Sequence, residues 1–265
     1  MDIVLVFFIY SILGWAVESA YCSVLSKRWI NRGFLNGPFC PVYACGALAV
    51  VFLLPYQSIL TNNIFILFIF GVFVTSLVEY VTGFLLETIF KTKWWDYSRY
   101  KFNIKGRVCL KNSLLFGFLV VILIKYIHPL IMELVFVIPT IAKVTFVTFF
   151  VITFAWDITM TVRAIMRIKG KTFELEKFRL EIMEKWDTKM GELESMLVDK
   201  LDLEKIKEKS SQKQAEIYQL LSEKIKSFSQ TSGRIEKRLI KAFPDMKTHR
   251  YKVAFEELKK AILKR

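Results

Sequence analysis

The chain has 265 residues, 54% of them hydrophobic, with 24 Phe and a formal net charge of +14. Its mean hydropathy of +0.39 excludes an average soluble domain. Residues 1–162 hold 12 Lys and Arg against 7 Asp and Glu, whereas 163–265 hold 26 against 17. The chain therefore divides into an apolar transmembrane domain, 1–168, and a basic, cytoplasmic helical domain, 169–265. In the second domain acids are interleaved with bases. That pattern suits a solvated helical face near an anionic leaflet and argues against nucleic acid as a partner.

The first apolar run, 3–25, is long enough to cross about 30 Å of hydrocarbon. Its only charge is Glu18, one turn after Gly14. It lacks a basic n-region and a small-x-small cleavage site, so no cleavable signal peptide is expected. The stretch 29–45, WINRGFLNGPFCPVYAC, follows. Gly33, Gly37, Pro38 and Pro41 forbid a regular helix through its middle. It reads as the cytoplasmic turn of a transmembrane hairpin. The second run, 39–54, is short and enters through Gly37, Pro38, Cys40 and Pro41.

Residues 55–63 form an uncharged outer loop. The third run, 64–90, contains Glu79 and Glu87 and must tilt or protrude. A second basic loop, 91–111, carries seven Lys and Arg against one Asp. The fourth run is 112–127, an outer connection is expected over 128–140, and the fifth run is 141–166, with Asp157 towards its inner end. Loops 26–36 and 91–111 are rich in Lys and Arg, and the other two are poor. The prediction is five spans, a multi-pass protein of the cell membrane, the N-terminus outside and the tail in the cytoplasm. Most of the four cysteines, at 22, 40, 45 and 109, then fall on the cytoplasmic side as reduced thiols.

From Gly170 the pattern is helical. Leu175, Phe178, Ile182, Trp186, Met190, Leu193, Leu197 and Leu201 form one apolar stripe. Ile217, Leu220, Leu221, Ile225 and Phe228 form another, with an interruption expected at Ser210–Ser211. Such stripes predict a coiled coil or helical hairpin. Gly233 and Pro244 separate two shorter helices. The fold class is all-α throughout.

A shift of 69 residues aligns Gly14 with Gly83, Glu18 with Glu87, Gly37 with Gly106 and Cys40 with Cys109. The two hairpins thus read as parallel repeats related by an axis along the membrane normal. The expectation is that both carboxylates and both GxxC entries converge on one cytoplasm-facing cluster.

Glu18, Glu79 and Glu87 are costly inside apolar spans, so each needs a partner or a water-filled cavity. Arg32 and Arg107, in the loops that follow, can fold back to pair with Glu18 and Glu87. Two readings stand: a substrate-binding or proton-relay cluster, or structural ion pairs that lock the hairpins. Asn31 with Arg32, and Asn103 with Gly106 and Arg107, read either as anion-cradling loops or as turns rich in positive-inside residues. Trp94, Trp95, Asp96 and Tyr97 read as an interfacial belt. The thiols have no companion His nearby, so no metal site is expected, and no cofactor either. There is no G-x4-G-K-[ST], HExxH or GxSxG motif. With no evident nucleophile, an enzyme, including one acting on a lipid phosphate, is not expected.

YSILGWAVE (10–18), NRGFLNGPFCPVY (31–43), LVEYVTGFLLE (77–87), WWDYS (94–98) and GRVCL (106–110) resemble a bacterial membrane family labelled putative ABC-transporter type IV, or CmpB-like permeases. The resemblance covers about residues 5–165 and departs at Ala44, where a Gly would follow the Tyr. It implies a permease-like subunit in the lipid bilayer, with its ATPase on a separate chain docked on the basic loops or tail. Five spans are few for one permease half, so a homodimer is expected. The alternative is a non-transporting scaffold or lipid-binding sensor whose tail recruits partners.

Overall fold

The computed structural model describes residues 1–54, 63–197 and 203–264, with side chains at these positions other than 189–214. The outer loop 55–63 falls outside them except for Asn63, as does Leu201. So do the side chains of Met190, Leu193 and Leu197.

The protein is mainly helical. In order come α1 (Asp2–Ser26), α2 (Pro41–Leu53), α3 (Ile64–Phe90), α4 (Leu110–Ile122), a π-helical turn (Leu123–Ile127), α5 (His128–Val137), α6 (Thr140–Leu197), α7 (Leu203–Gln230), α8 (Arg234–Ala242) and α9 (Lys252–Leu263). Two antiparallel pairs of short strands accompany them. β1 (Thr92–Lys93) pairs with β4 (Lys247–Thr248), and β2 (Asn103–Ile104) pairs with β3 (Val108–Cys109). There is no closed sheet among the described residues.

Four helical stretches are long and apolar enough to cross a membrane: Asp2–Ser26, Ile64–Phe90, Leu110–Val137 and Thr140–Thr188. A shorter apolar helix, Pro41–Leu53, has 13 residues, about 20 Å at 1.5 Å per residue. The expected outer connection over 128–140 is largely helical. Pro129 stands at the start of α5, where its missing N–H removes no helical bond. A single π-helical turn precedes it. The helix therefore runs on through Val137 and only then breaks, at Ile138–Pro139.

Residues Met1–Arg163 and Lys241–His249 form one compact unit. In it, Leu5, Val6 and Tyr10 of α1 pack with Ala44 of α2 and with Ile131 and Val135 of α5. Val50, Leu67, Val74 and Val120 join α2, α3 and α4. Phe8, Leu35 and Phe39 pack against Phe150 and Phe154. The absence of a Cβ at Gly14 lets α1 approach Tyr43 of α2 directly, the small-residue packing that membrane helices favour.

Residues Ala164–Ile240 and Arg250–Arg265 form the second unit. Leu175, Leu239, Leu258 and Ile262 are buried there, and Lys171 bridges Glu236 at 2.8 Å. Gly170 does not interrupt α6, and Ser210–Ser211 lie inside the continuous helix α7. Ser is only a mild helix breaker, so the two serines do not interrupt α7. Gly233 and Pro244 do stand between helices.

Candidate functional site: the loop ends of two hairpins

Each hairpin leaves its first long helix through a lysine in the left-handed region, Lys27 after α1 and Lys91 after α3, both with φ 50°. Each re-enters an apolar 13-residue helix directly after a cysteine, Cys40 before α2 and Cys109 before α4. Both cysteines are buried. The loops between are ordered by their asparagines. Asn31 Oδ1 accepts Trp15 Nε1 at 2.9 Å and the Gly33 N–H at 3.1 Å, and its Nδ2 donates to the Asn36 carbonyl. Asn103 Oδ1 accepts the Gly106 N–H at 2.9 Å, and Gly106, at φ +67°, supplies the turn. Both side chains are thus engaged in holding their own loops.

The first loop is also pinned from α6. The two oxygens of Asp157, 8% exposed, accept the backbone N–H groups of Asn36 (3.0 Å) and Gly37 (2.7 Å).

Glu18 lies beneath this loop. Arg32 Nε stands 3.6 Å from its Oε1, and Tyr43, from α2, donates a short hydrogen bond to its Oε2. Cys22, one turn on, faces the same carboxylate. Tyr97, from the second loop, brings the hairpins together. Burial, with the charges of Glu79 and Glu18 beside it, pushes its phenol well above the ordinary tyrosine value, against a smaller opposing effect of Arg32. The hydroxyl therefore stays protonated and available as a donor. Cys109 also adjoins Tyr97, and Cys40 adjoins Tyr43. Glu79, on α3, is 8% exposed; the Tyr97 phenol lies against its carboxylate, and its Oε2 is buried without a hydrogen-bond partner.

Glu87 does not join that cluster. It has partners of its own: Arg107 approaches its Oε2 through Nε at 2.9 Å and Nη2 at 2.7 Å, while His249 Nε2 stands 2.6 Å from Oε1. Arg107 also donates to Tyr80 Oη at 3.2 Å. The expected single site is thus two sites. Glu87 is only three residues from the end of α3, and its arginine is fixed beside it by the Trp95 indole, which donates to the Arg107 carbonyl. Gly83, Lys93, Trp94, Trp95 and Arg107 line a shallow surface dent there.

Of residues 94–97, Trp94 is buried and Trp95, Asp96 and Tyr97 are half-buried. Trp94, 3% exposed, packs edge-on against Phe34, Phe90 and Phe243. Asp96 holds Lys93 (3.2 Å), Lys247 (2.5 Å) and the Ser98 N–H (3.1 Å). Burial alone would raise its carboxyl, but these hydrogen bonds outweigh it and hold it well below the usual aspartate range.

The sequence reading did not reach the strap Lys241–His249. Arg32 donates to the Ala242 carbonyl and stacks over Phe243 at 4.6 Å. Next, β4 pairs with β1, Lys247 meets Asp96, and the His249 N–H donates to the Lys91 carbonyl. The strap therefore touches Arg32 of the first hairpin and Glu87 of the second. The one legible signal was Phe243–Pro244, an apolar break in a charged tail.

Helices long and apolar enough to cross a membrane mark a membrane-embedded helical protein. The chain belongs to the family described as Putative ABC-transporter type IV, whose model matches residues 5–162. No curated protein and no solved structure matches it.

Proposed function

We propose that the protein is a permease-like membrane subunit of an ABC-type transporter whose ATPase is a separate chain. The observation that carries this reading is the strap. One cytoplasmic segment engages Arg32, partner of Glu18, and Glu87, partner of Arg107. Force delivered to it from a docked ATPase would reach the charge pairs of both hairpins at once. The family match supports a transport role.

The topology we propose has five crossings, with the N-terminus outside and the tail in the cytoplasm. Phe34 packs on Trp94 with ring centroids 4.8 Å apart, so both basic loops lie at the same end of α3. In this topology α3 crosses fully, as its 27 apolar residues allow, and α2 is the returning crossing. The parallel-repeat reading draws support from the matched lysine caps and 13-residue second helices. A dimer would complete the permease, and coiled-coil pairing of the tail belongs to the same proposal. No catalytic role is assigned to any residue.

The test is purification in mild detergent from native membranes. A P-loop ATPase should co-purify, and it should be lost or its ATP turnover uncoupled when Phe243 and His249 are both replaced by Ala. A chain that purifies alone under cross-linking conditions would refute the reading.

A second reading is a lipid-binding scaffold. It is favoured by exposed Tyr100, Phe102 and Ile104 alternating with exposed Arg99, Lys101 and Lys105, a mixture suited to an anionic leaflet. A tail deletion of 170–265 that abolishes function while the spans still insert would support it.

A further inference from the structure

We propose that Glu79 is a reversible proton-binding site of the membrane domain, reached from the cytoplasmic side through Tyr97. The inference rests on the permease reading only for the use to which the proton is put.

Six carboxylates lie in or at the ends of the long helices of this unit; Asp2 is bridged by Lys143 at 3.1 Å, and Glu133 is exposed. Glu18 has Arg32 and Tyr43. Glu87 has Arg107 and His249. Asp157 has two backbone N–H groups. Glu79 differs: one of its oxygens is buried with no donor, and no Lys, Arg or His bridges it among the described residues. An ionised oxygen in that position is costly, and the cost is removed when the group carries its own proton.

The surroundings agree. From α1 it faces the charge of Glu18, and from the second loop the Tyr97 phenol. Tyr97 in turn adjoins Arg32, Cys109 and Tyr43. Arg32 is committed to Glu18 and the strap. On α3 itself, Ser76 is spent on Ser113. Two neighbouring carboxylates, Glu18 and Glu79, do not both ionise freely. A proton that leaves Glu79 passes first to the Tyr97 hydroxyl beside it.

The step is simple in its balance. Glu79–COOH releases H⁺ past Tyr97 to water at the cytoplasmic side and becomes carboxylate, so the cluster gains one negative charge; uptake of H⁺ from that water reverses the step.

The test uses the full chain in liposomes treated with dicyclohexylcarbodiimide, an apolar reagent that adds to protonated carboxyls. Mass spectrometry should find Glu79 modified about fivefold or more at pH 6 relative to pH 9, since burial sets its protonation apart from exposed acids. Glu18 and Glu87 should stay unmodified. In parallel, an infrared pH titration should reveal a carboxylic-acid C=O band that Glu79→Gln removes. A band unchanged in Glu79→Gln would overturn the proposal, as would modification equal at both pH values. Modification blocked by sodium at constant pH would overturn it in favour of a bound cation. Failure of an ATPase to co-purify bears on the transport reading alone and leaves these readouts intact.

Discussion

Asp157 of α6 accepts the Gly37 N–H at 2.7 Å and the Asn36 N–H at 3.0 Å, so a helix more than a hundred residues away holds the first loop in shape. Asp157→Ala removes the acceptor of two part-buried backbone N–H groups, at a cost of about 1 kcal/mol each. The variant should melt well below wild type in detergent. Asp157→Asn, which can still accept one N–H, should fall between the two. Equal melting of all three would show that the loop does not depend on this carboxylate.

Arg107 is held on three sides, by Glu87, Tyr80 and the Trp95 contact to its carbonyl. Arg107→Lys keeps the charge but not the planar fork. It should lose about 1.5–3 kcal/mol of stability, close to the loss in Arg107→Ala, as expected for hydrogen bonds to a charged group. Chemical denaturation in mixed micelles measures both. Full rescue by Lys would mean that only charge matters at this position.

The strap carries a pH dependence. The Asp96 carboxyl is held below its usual range by Lys247, Ser98 and Lys93. A carboxyl lowered by folding contributes stability fully above its unfolded value, about 3.9, and loses it as pH falls through the folded value. Amide exchange over 241–249 should be slow at neutral pH and accelerate below about pH 4. Asp96→Asn should exchange fast at both. Exchange that is indifferent to acid in wild type would break the link between Asp96 and the strap.

Gly14 and Gly46 offer a contrast on the same hairpin. A Cβ on Gly14 would run into the Tyr43 side chain, whereas one on Gly46 meets nothing within 4 Å. Gly14→Val should destabilise the α1–α2 pair by about 1–3 kcal/mol through overpacking. Gly46→Ala should be neutral. Thermal melting of the two variants side by side distinguishes them.

Much of this was legible in the residues because apolar run lengths and intramembrane acids are strong signals. The run 64–90 is helix α3 to the residue, and Arg32 and Arg107 do fold back on Glu18 and Glu87. What was not legible has physical causes. Pro129 looked like a loop residue, but a proline at a helix start is compatible with continuing the rod. Trp94 looked interfacial because composition alone cannot tell a lipid-facing indole from one packed against Phe34 and Phe243. The strap lies more than two hundred residues from Arg32, and no local periodicity encodes such a contact.

The central claim is that Lys241–His249 packs on the loop ends of the two hairpins. The most direct test is a disulfide between Thr92 and Thr248, cross-strand partners in the β1–β4 pair. T92C/T248C, made in a background free of the four native cysteines, should cross-link rapidly on mild oxidation in native membranes. T92C paired with a cysteine at exposed Phe136, at the far end of the helical stretch Leu110–Val137, should not. Absence of the T92C/T248C cross-link in the inserted protein would contradict the account.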